Sequence, residues 1–234
     1  MVFATLAGMA VTFSLGRWQL SRAAYKEALH AAIVLREQQP PLSGQTLAGP
    51  LSAAQIDELL HRQITLRGAW LPERTVYLDN RQMNGRQGFD VLTPLRLAGT
   101  DAVVLVQRGW APRNFTDRTA LPQVDTPGGE VEVTGRIAPS PPRLYSLGEE
   151  GGGVIRQNLD LNAFRIETGL PLASVTVLQT GSPSQGLSRD WPEPTAGVEK
   201  HYGYAFQWFG LCTLIGLLFL GFQVVKPIYL SRRA

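Results

Sequence analysis

A chain of 234 residues with a formal charge of only +3, and with no lysine- or arginine-dense block carrying interleaved aromatics, is not built to bind nucleic acid. Its single cysteine, Cys212, excludes an internal disulfide, a CxxC redox pair and a cysteine copper site within one chain. The 24 glycines and 16 prolines imply many turns, and the apolar residues gather at the two ends around a middle of ordinary globular composition.

The first element is the apolar run Met1 to Leu15, about 22 Å of α-helix at 1.5 Å per residue, which is short for a lipid span. Arg17 and Trp18 extend it by snorkelling and interfacial anchoring. No basic segment precedes the run and no small-x-small cleavage site precedes Arg17, so residues 1–20 are expected to be a membrane anchor rather than a cleaved signal. Gly8, Ala10 and Gly16 would let this helix approach a second one closely. A helical stalk is expected over 21–41, with Trp18, Tyr25, Leu29 and Ile33 near one face and Pro40 and Pro41 ending it.

Residues 42–200 read as short strands with small helices. A helix begins at Ser52 and carries His61, which like His30 reads as a solvated surface residue. "QITLRGAWL" alternates around Ile64, Leu66 and Ala69, "PER" turns the chain into "TVYLDNR", and "GFDVLTPLRL" and "AVVLVQRGWAP" are separated by a turn at Gly99 to Asp101. "EVEVTGRIA" alternates Val131, Val133 and Gly135, the helix "LNAFRIETG" lies between "GVIRQNL" and "ASVTVLQT", and no βαβ rhythm occurs. The expected domain is a mostly antiparallel sheet or partly closed barrel. It shows no GxSxG, HExxH or phosphate loop, so no enzyme is expected. Glu149 and Glu150 in "GEEGGG" read as a flexible loop, and Asp79, Asn80 and Arg81 as turn chemistry at a strand end.

Residues 203–225 form a second span. From Tyr204 to Val225 no formal charge occurs over about 22 residues, Tyr202, Tyr204, Trp208 and Phe209 crowd the start, and Lys226, Arg232 and Arg233 follow the end in a basic tail, 226–234. The middle is longer than the loops of roughly 60 residues that obey the positive-inside rule, so this tail decides for a cytoplasmic C-terminus and an extracytoplasmic domain. On a helix beginning near His201, positions 201, 204, 205, 208 and 212 share one face. Spacing alone leaves two roles open for His201, a ligand or a hydrogen-bonded interfacial residue. The whole is expected to be an α+β membrane protein: two transmembrane helices bracketing a β-rich, barrel-like extracytoplasmic domain.

"LGRWQLSRAAYK", "YLDNRQMNGRQGFDVLTPLRL", "VLVQRGWAPRN" and "KHYGYAFQWFGL", in this order, resemble the surfeit locus protein 1 (Shy1-like) family of assembly factors for haem-copper cytochrome c oxidase. The family's Gly-x-Trp-Gln element falls on Gly16, Trp18 and Gln19, and its Gly-Phe-x-Val-x-Thr-Pro element on Gly88, Phe89, Val91, Thr93 and Pro94. Its Arg-Gly-Trp-x-Pro element falls on Arg108, Gly109, Trp110 and Pro112, preceded by Gln107 where Asn is usual. Its His-x-x-Tyr-Ala-x-x-Trp-Phe element falls on His201, Tyr204, Ala205, Trp208 and Phe209; Glu199 and Lys200 stand where asparagines are common. The resemblance implies a protein that binds haem a transiently and assists its insertion into oxidase subunit I, with His201 on the haem iron and Tyr204, Trp208 and Phe209 against the macrocycle. It implies oxidase subunit I, haem a biosynthesis and assembly proteins and membrane lipid as partners. A cofactor-free scaffold for assembly intermediates is the alternative. The lack of an Arg/Ser-rich transit segment favours a bacterial inner membrane, with the domain in the periplasm, over the mitochondrial inner membrane.

Overall fold

The computed structural model describes residues 2–117, 120–145, 153–192 and 197–226. In chain order the elements are α1 (Val2–Glu37), β1 (Leu42–Ser43), α2 (Ala53–Leu59), β2 (Gln63–Trp70), β3 (Val76–Met83), β4 (Arg86–Leu97), β5 (Val103–Pro112), β6 (Glu130–Ala138), β7 (Ile155–Arg156), α3 (Leu161–Thr168), β8 (Leu172–Gln179) and α4 (Val198–Phe219). A π-helical turn, Leu220–Val225, continues α4. The chain divides into two units: Met1–Ala32 with Glu193–Ala234, and Ile33–Pro192. Glu149, Glu150, Arg232 and Arg233 lie outside the described residues.

In the Ile33–Pro192 unit, β2 pairs β6, β6 pairs β8, β8 pairs β5, β5 pairs β4, and β4 returns to β2, which closes a five-stranded barrel. Only the β5–β8 contact of that ring is parallel. β1 adds to β2, and β3 with β7 extends the sheet beyond β4. The closing contact spans three residue pairs, Gly68↔Leu97, Ala69↔Arg96 and Trp70↔Leu95. Gly68 makes it possible, because a Cβ there would sit 2.0 Å from the Arg96 carbonyl oxygen.

The barrel interior is an apolar cluster that includes Ile64, Leu66, Leu95, Val106, Ile137 and Val177. β2 therefore alternates as Ile64, Leu66, Gly68 and Trp70 inward, and Ala69, expected inside, faces outward. Strict two-residue periodicity overrides the small apolar side chain. β6 follows the expected alternation, with Val133, Gly135 and Ile137 buried. α3 is capped by Asp160, whose carboxylate accepts from the Ala163 amide, and by left-handed Gly169; its Leu161 and Phe164 cover Leu92, Val103 and Leu105.

α2 begins with a capping box between Ser52 and Gln55 but ends at Leu59. His61 lies beyond it, at φ 69°, with its amide donating to the Ile137 carbonyl. It is half-buried, and desolvation, with Arg136 and Arg36 nearby, lowers its pKa; it is not a solvated helix residue.

In the other unit, α1 and α4 run antiparallel, as the contacts Gly8–Ile215, Met9–Cys212 and Phe13–Phe209 establish. The segments 1–20 and 21–41 contribute to one uninterrupted helix, Val2–Glu37. Among the described residues, one helix, Val198–Gln223, is long and apolar enough to cross a membrane. Only 6% of its apolar window is buried, which is unlike the core helix of a soluble protein. The shorter apolar stretch of α1 does not reach that measure.

Candidate functional site

The site is built where α1 and α4 cross at His201. A helix places residues four apart on one face, so His201, Ala205, Phe209 and Cys212 follow one another along the side of α4 that meets α1. The small residues opposite allow the approach. A Cβ on Gly16 would lie 2.7 Å from the Phe209 ring, and Phe209 also meets Phe13 edge-on at 5.5 Å between centroids. Gly8 faces Ile215 less tightly, since a Cβ there would make an ordinary contact at 3.7 Å; Ala10 is exposed and Thr12 takes the interior place. Thr12 satisfies its own hydroxyl on the Gly8 carbonyl, as a buried hydroxyl in a helix must.

His201 is half-buried, and its Nδ1 lies 2.7 Å from Oε1 of Gln19. An amide oxygen only accepts, so Nδ1–H donates to it, and in the neutral ring Nε2 then holds the lone pair. That is the tautomer a metal-ligating imidazole needs, with its second nitrogen fixed by a neighbour. One residue on, the Tyr202 hydroxyl donates to Glu27 at 2.9 Å. The Gln19 contact lies just beyond the first charge on α1, Arg17, and both contacts lie just before the charge-free run of α4 from Tyr204.

Of the four expected cofactor-binding residues, His201, Trp208 and Phe209 are half-buried, while Tyr204 is 53% exposed. Phe209 is already engaged by Gly16 and Phe13. The residue that sequence reasoning missed as part of this site is Gln19. It stood in a quoted motif, yet its pairing with His201 crosses 182 positions, which no local periodicity reports. No group of three or more His, Cys, Asp or Glu side chains suited to a metal occurs among the described residues.

The other motifs serve the barrel. Arg108 is fully buried; Nη1 donates to Thr126 Oγ1, and Nη2 to the Asp125 carbonyl and Gln185 Oε1, each at 2.7 Å. Its guanidinium lies 4.7 Å from the centre of the Trp70 ring. Burial and then Arg189 push its pKa down to about 10, so it remains a cation at neutral pH, held by neutral oxygens. Trp110 donates from Nε1 to the Arg81 carbonyl at 3.0 Å. Asp79 forms an ion pair with Arg113 at 3.2 Å and accepts from the Asn80 amide; with Asn80 and Arg81 it lies at a bulge inside β3, not in a turn at a strand end as expected.

A barrel inserted in sequence between two paired helices, one of them apolar enough to cross a membrane, defines an α+β protein with a candidate membrane anchor. Comparison with known proteins narrows this. The SURF1 family model matches residues 6–213, and the chain belongs to that family. It is 27% identical over 240 residues to a SURF1-like protein of Drosophila melanogaster, covering 94% of this chain and 76% of that one. It is 26% identical over 218 residues to a SURF1-like protein of Rickettsia felis (90% and 91% covered), and 26% identical over 246 residues to surfeit locus protein 1 of Takifugu rubripes (94% and 95% covered).

Proposed function

We propose that this chain is a membrane-bound assembly factor for haem-copper cytochrome c oxidase that holds haem a for insertion into subunit I, and that it catalyses no reaction itself. Membership of the SURF1 family supports the assembly role. The observation that carries the cofactor reading is the Gln19–His201 hydrogen bond, because it occupies Nδ1 and leaves Nε2 as the lone-pair nitrogen of the neutral ring. His201 would ligate the iron, with Trp208 and the exposed Tyr204 offering ring surface to the macrocycle. Bound haem a would supply an iron that accepts a neutral nitrogen ligand. The chain's own task is to orient the imidazole through Nδ1 and to offer an apolar wall.

The same reading makes the helix pair a two-span hairpin in a bacterial inner membrane, with residues between the spans on the periplasmic side. Residues 2–16 of α1 are uncharged and lie beside the uncharged part of α4, so the weaker span shares the depth of the stronger one. Both helices turn apolar side chains outward, Phe3, Leu6 and Val11 on one, Phe206, Leu214 and Leu217 on the other, as a lipid-facing belt requires. His201 then sits at the outer rim of the bilayer.

A second reading, a cofactor-free scaffold, is favoured by Phe209, whose ring is spent on helix packing rather than left open to a ligand. An absorption spectrum decides between them. Protein purified in mild detergent from cells that make haem a should show a Soret band that His201→Ala removes. A band unchanged in the variant rejects the ligand assignment, and no band in the parent favours the scaffold.

A further inference from the structure

The barrel unit holds a cavity of about 500 Å³, within the range of small-molecule sites. It lies against the outward side of the sheet. On β5, Val104 and Val106 point into the barrel, so Gln107 points out, and it lines the cavity together with Asp90 of β4 and Leu178 of β8. Met83, Leu144 and Trp191 add apolar walls, and the indole of Trp191 is fixed by donation to the Gln179 carbonyl at 2.8 Å.

Arg81 Nε and Gln87 Oε1 are buried at this cavity without a hydrogen-bond partner among the described residues, and the Asp90 carboxylate lies beside them. Arg81 is 6% exposed; Nη1 donates to the Pro142 carbonyl at 2.9 Å and Nη2 to the Gln157 carbonyl at 3.0 Å, while Nε–H has no acceptor among the described residues. The nearest carboxylate oxygen, Oδ2 of Asp90, is 3.9 Å away, beyond hydrogen-bond reach. The Asp90 side chain is 15% exposed and accepts no hydrogen bond among the described residues. A buried donor and a half-buried acceptor thus lie side by side, too far apart to bond directly, and one oxygen seated beside the pair reaches both. The two formal charges cancel, so the gap selects a neutral group. A hydroxyl fits: it accepts from Arg81 Nε–H and donates to Asp90.

We propose that this cavity binds a small neutral amphiphile of the phenol type, its hydroxyl bridging Arg81 and Asp90 and its apolar ring lying among Met83, Leu144, Leu178 and Trp191. The site belongs wholly to the barrel unit and stands apart from the haem reading.

Equilibrium dialysis of labelled 4-propylphenol against the full chain in detergent, with protein-free micelles as background, tests it. Saturable binding is expected, with propylbenzene at least about tenfold weaker, because a site built around a hydroxyl penalises the analogue that lacks it. Asp90→Leu should erase that difference, and Leu178→Trp, which fills the cavity without touching the polar pair, should abolish binding of both. The proposal is overturned by binding no greater than the micelle background, by equal affinity for propylbenzene, or by binding that survives Leu178→Trp. Cooperative melting by circular dichroism identifies any variant that fails to fold, in which case the wild-type comparison of the two probes decides alone.

Discussion

Gln19 on α1 and His201 on α4 meet at 2.7 Å between Oε1 and Nδ1, joining two of the sequence motifs through a single hydrogen bond. The bond fixes the ring plane of the imidazole and, in its neutral form, the tautomer. If His201 ligates haem iron, Gln19 is a positioning residue for it. Gln19→Leu should then weaken haem a binding about 10–100-fold without abolishing it. Gln19→Glu should restore binding and lower the midpoint potential of the iron, since a carboxylate makes the imidazole a stronger donor. Titration followed by absorbance, together with a potentiometric titration, reads both; a potential identical in wild type and Gln19→Glu would remove Gln19 from this role.

Gly16 is the seat of Phe209. Any larger side chain there displaces the ring, because even the first carbon would stand 2.7 Å from it. Gly16→Leu should destabilise the helix pair by about 1–3 kcal/mol, the range for overpacking. Phe209→Ala in the same background should return part of that loss, because it empties the space the new side chain needs. Thermal unfolding of the four proteins in detergent closes the double-mutant cycle; strictly additive effects would mean that the contact does not form.

Much of this architecture is written in local pattern. The strands β3 to β6 and β8, the helix at Leu161–Thr168 and the apolar α4 all follow from alternation, turn residues and length. What pattern does not reveal is long-range closure. The ring is shut by three residue pairs between β2 and β4, and its sequence mark is one glycine, Gly68, inside a strand. The Gln19–His201 bond is hidden for the same reason: motif position marks both residues but does not pair them. His61 misled because α2 stops two residues earlier than its amphipathic look suggests, and the left-handed residue that follows turns inward, toward Arg36 and Arg136.

Asp90 should make the barrel more stable in mild acid. Burial raises its carboxyl to about 6, against an opposing pull from Arg81. The native form therefore binds its proton more tightly than the unfolded chain does. The cost of ionisation is absent below about pH 4, grows between about pH 4 and 6 and is complete above that, reaching about 3 kcal/mol. Asp90→Asn, which stays neutral, should flatten stability across this window and raise the melting temperature at pH 7.5. Melting curves of the two proteins at pH 4, 5, 6 and 7.5 provide the check, and parallel pH profiles would contradict the assignment.

Arg108 holds the end of the barrel together through three neutral acceptors on two segments far apart in sequence, Asp125 with Thr126 on one and Gln185 on the other. Arg108→Ala leaves a cavity beside Trp70 and strips all three of their donor, and should cost about 3–5 kcal/mol. Arg108→Lys should also destabilise, because a point-charge ammonium lacks the planar fork that serves these positions at once. Urea unfolding measures the loss. Hydrogen exchange should rise first in the segments around Asp125 and Gln185, and unchanged protection there would argue against the clamp.

The two-span reading places residues between the helices outside the cytosol, and the single native cysteine makes this easy to test. Cys212 lies within α4, its Sγ 3.5 Å from the Met9 carbonyl, so Cys212→Ala gives a background free of other thiols. Ile166 on α3 is 84% exposed, so Ile166→Cys in that background puts one thiol on the surface of the barrel unit. Its neighbour Phe164, not Ile166, carries the packing of α3, and the cost to the fold should stay within about 0.5 kcal/mol. A membrane-impermeant maleimide added to intact bacterial cells whose outer membrane has been permeabilised should label this position fully. Labelling only after the inner membrane is broken would put the barrel in the cytosol and remove His201 from the outer rim, where the haem reading requires it.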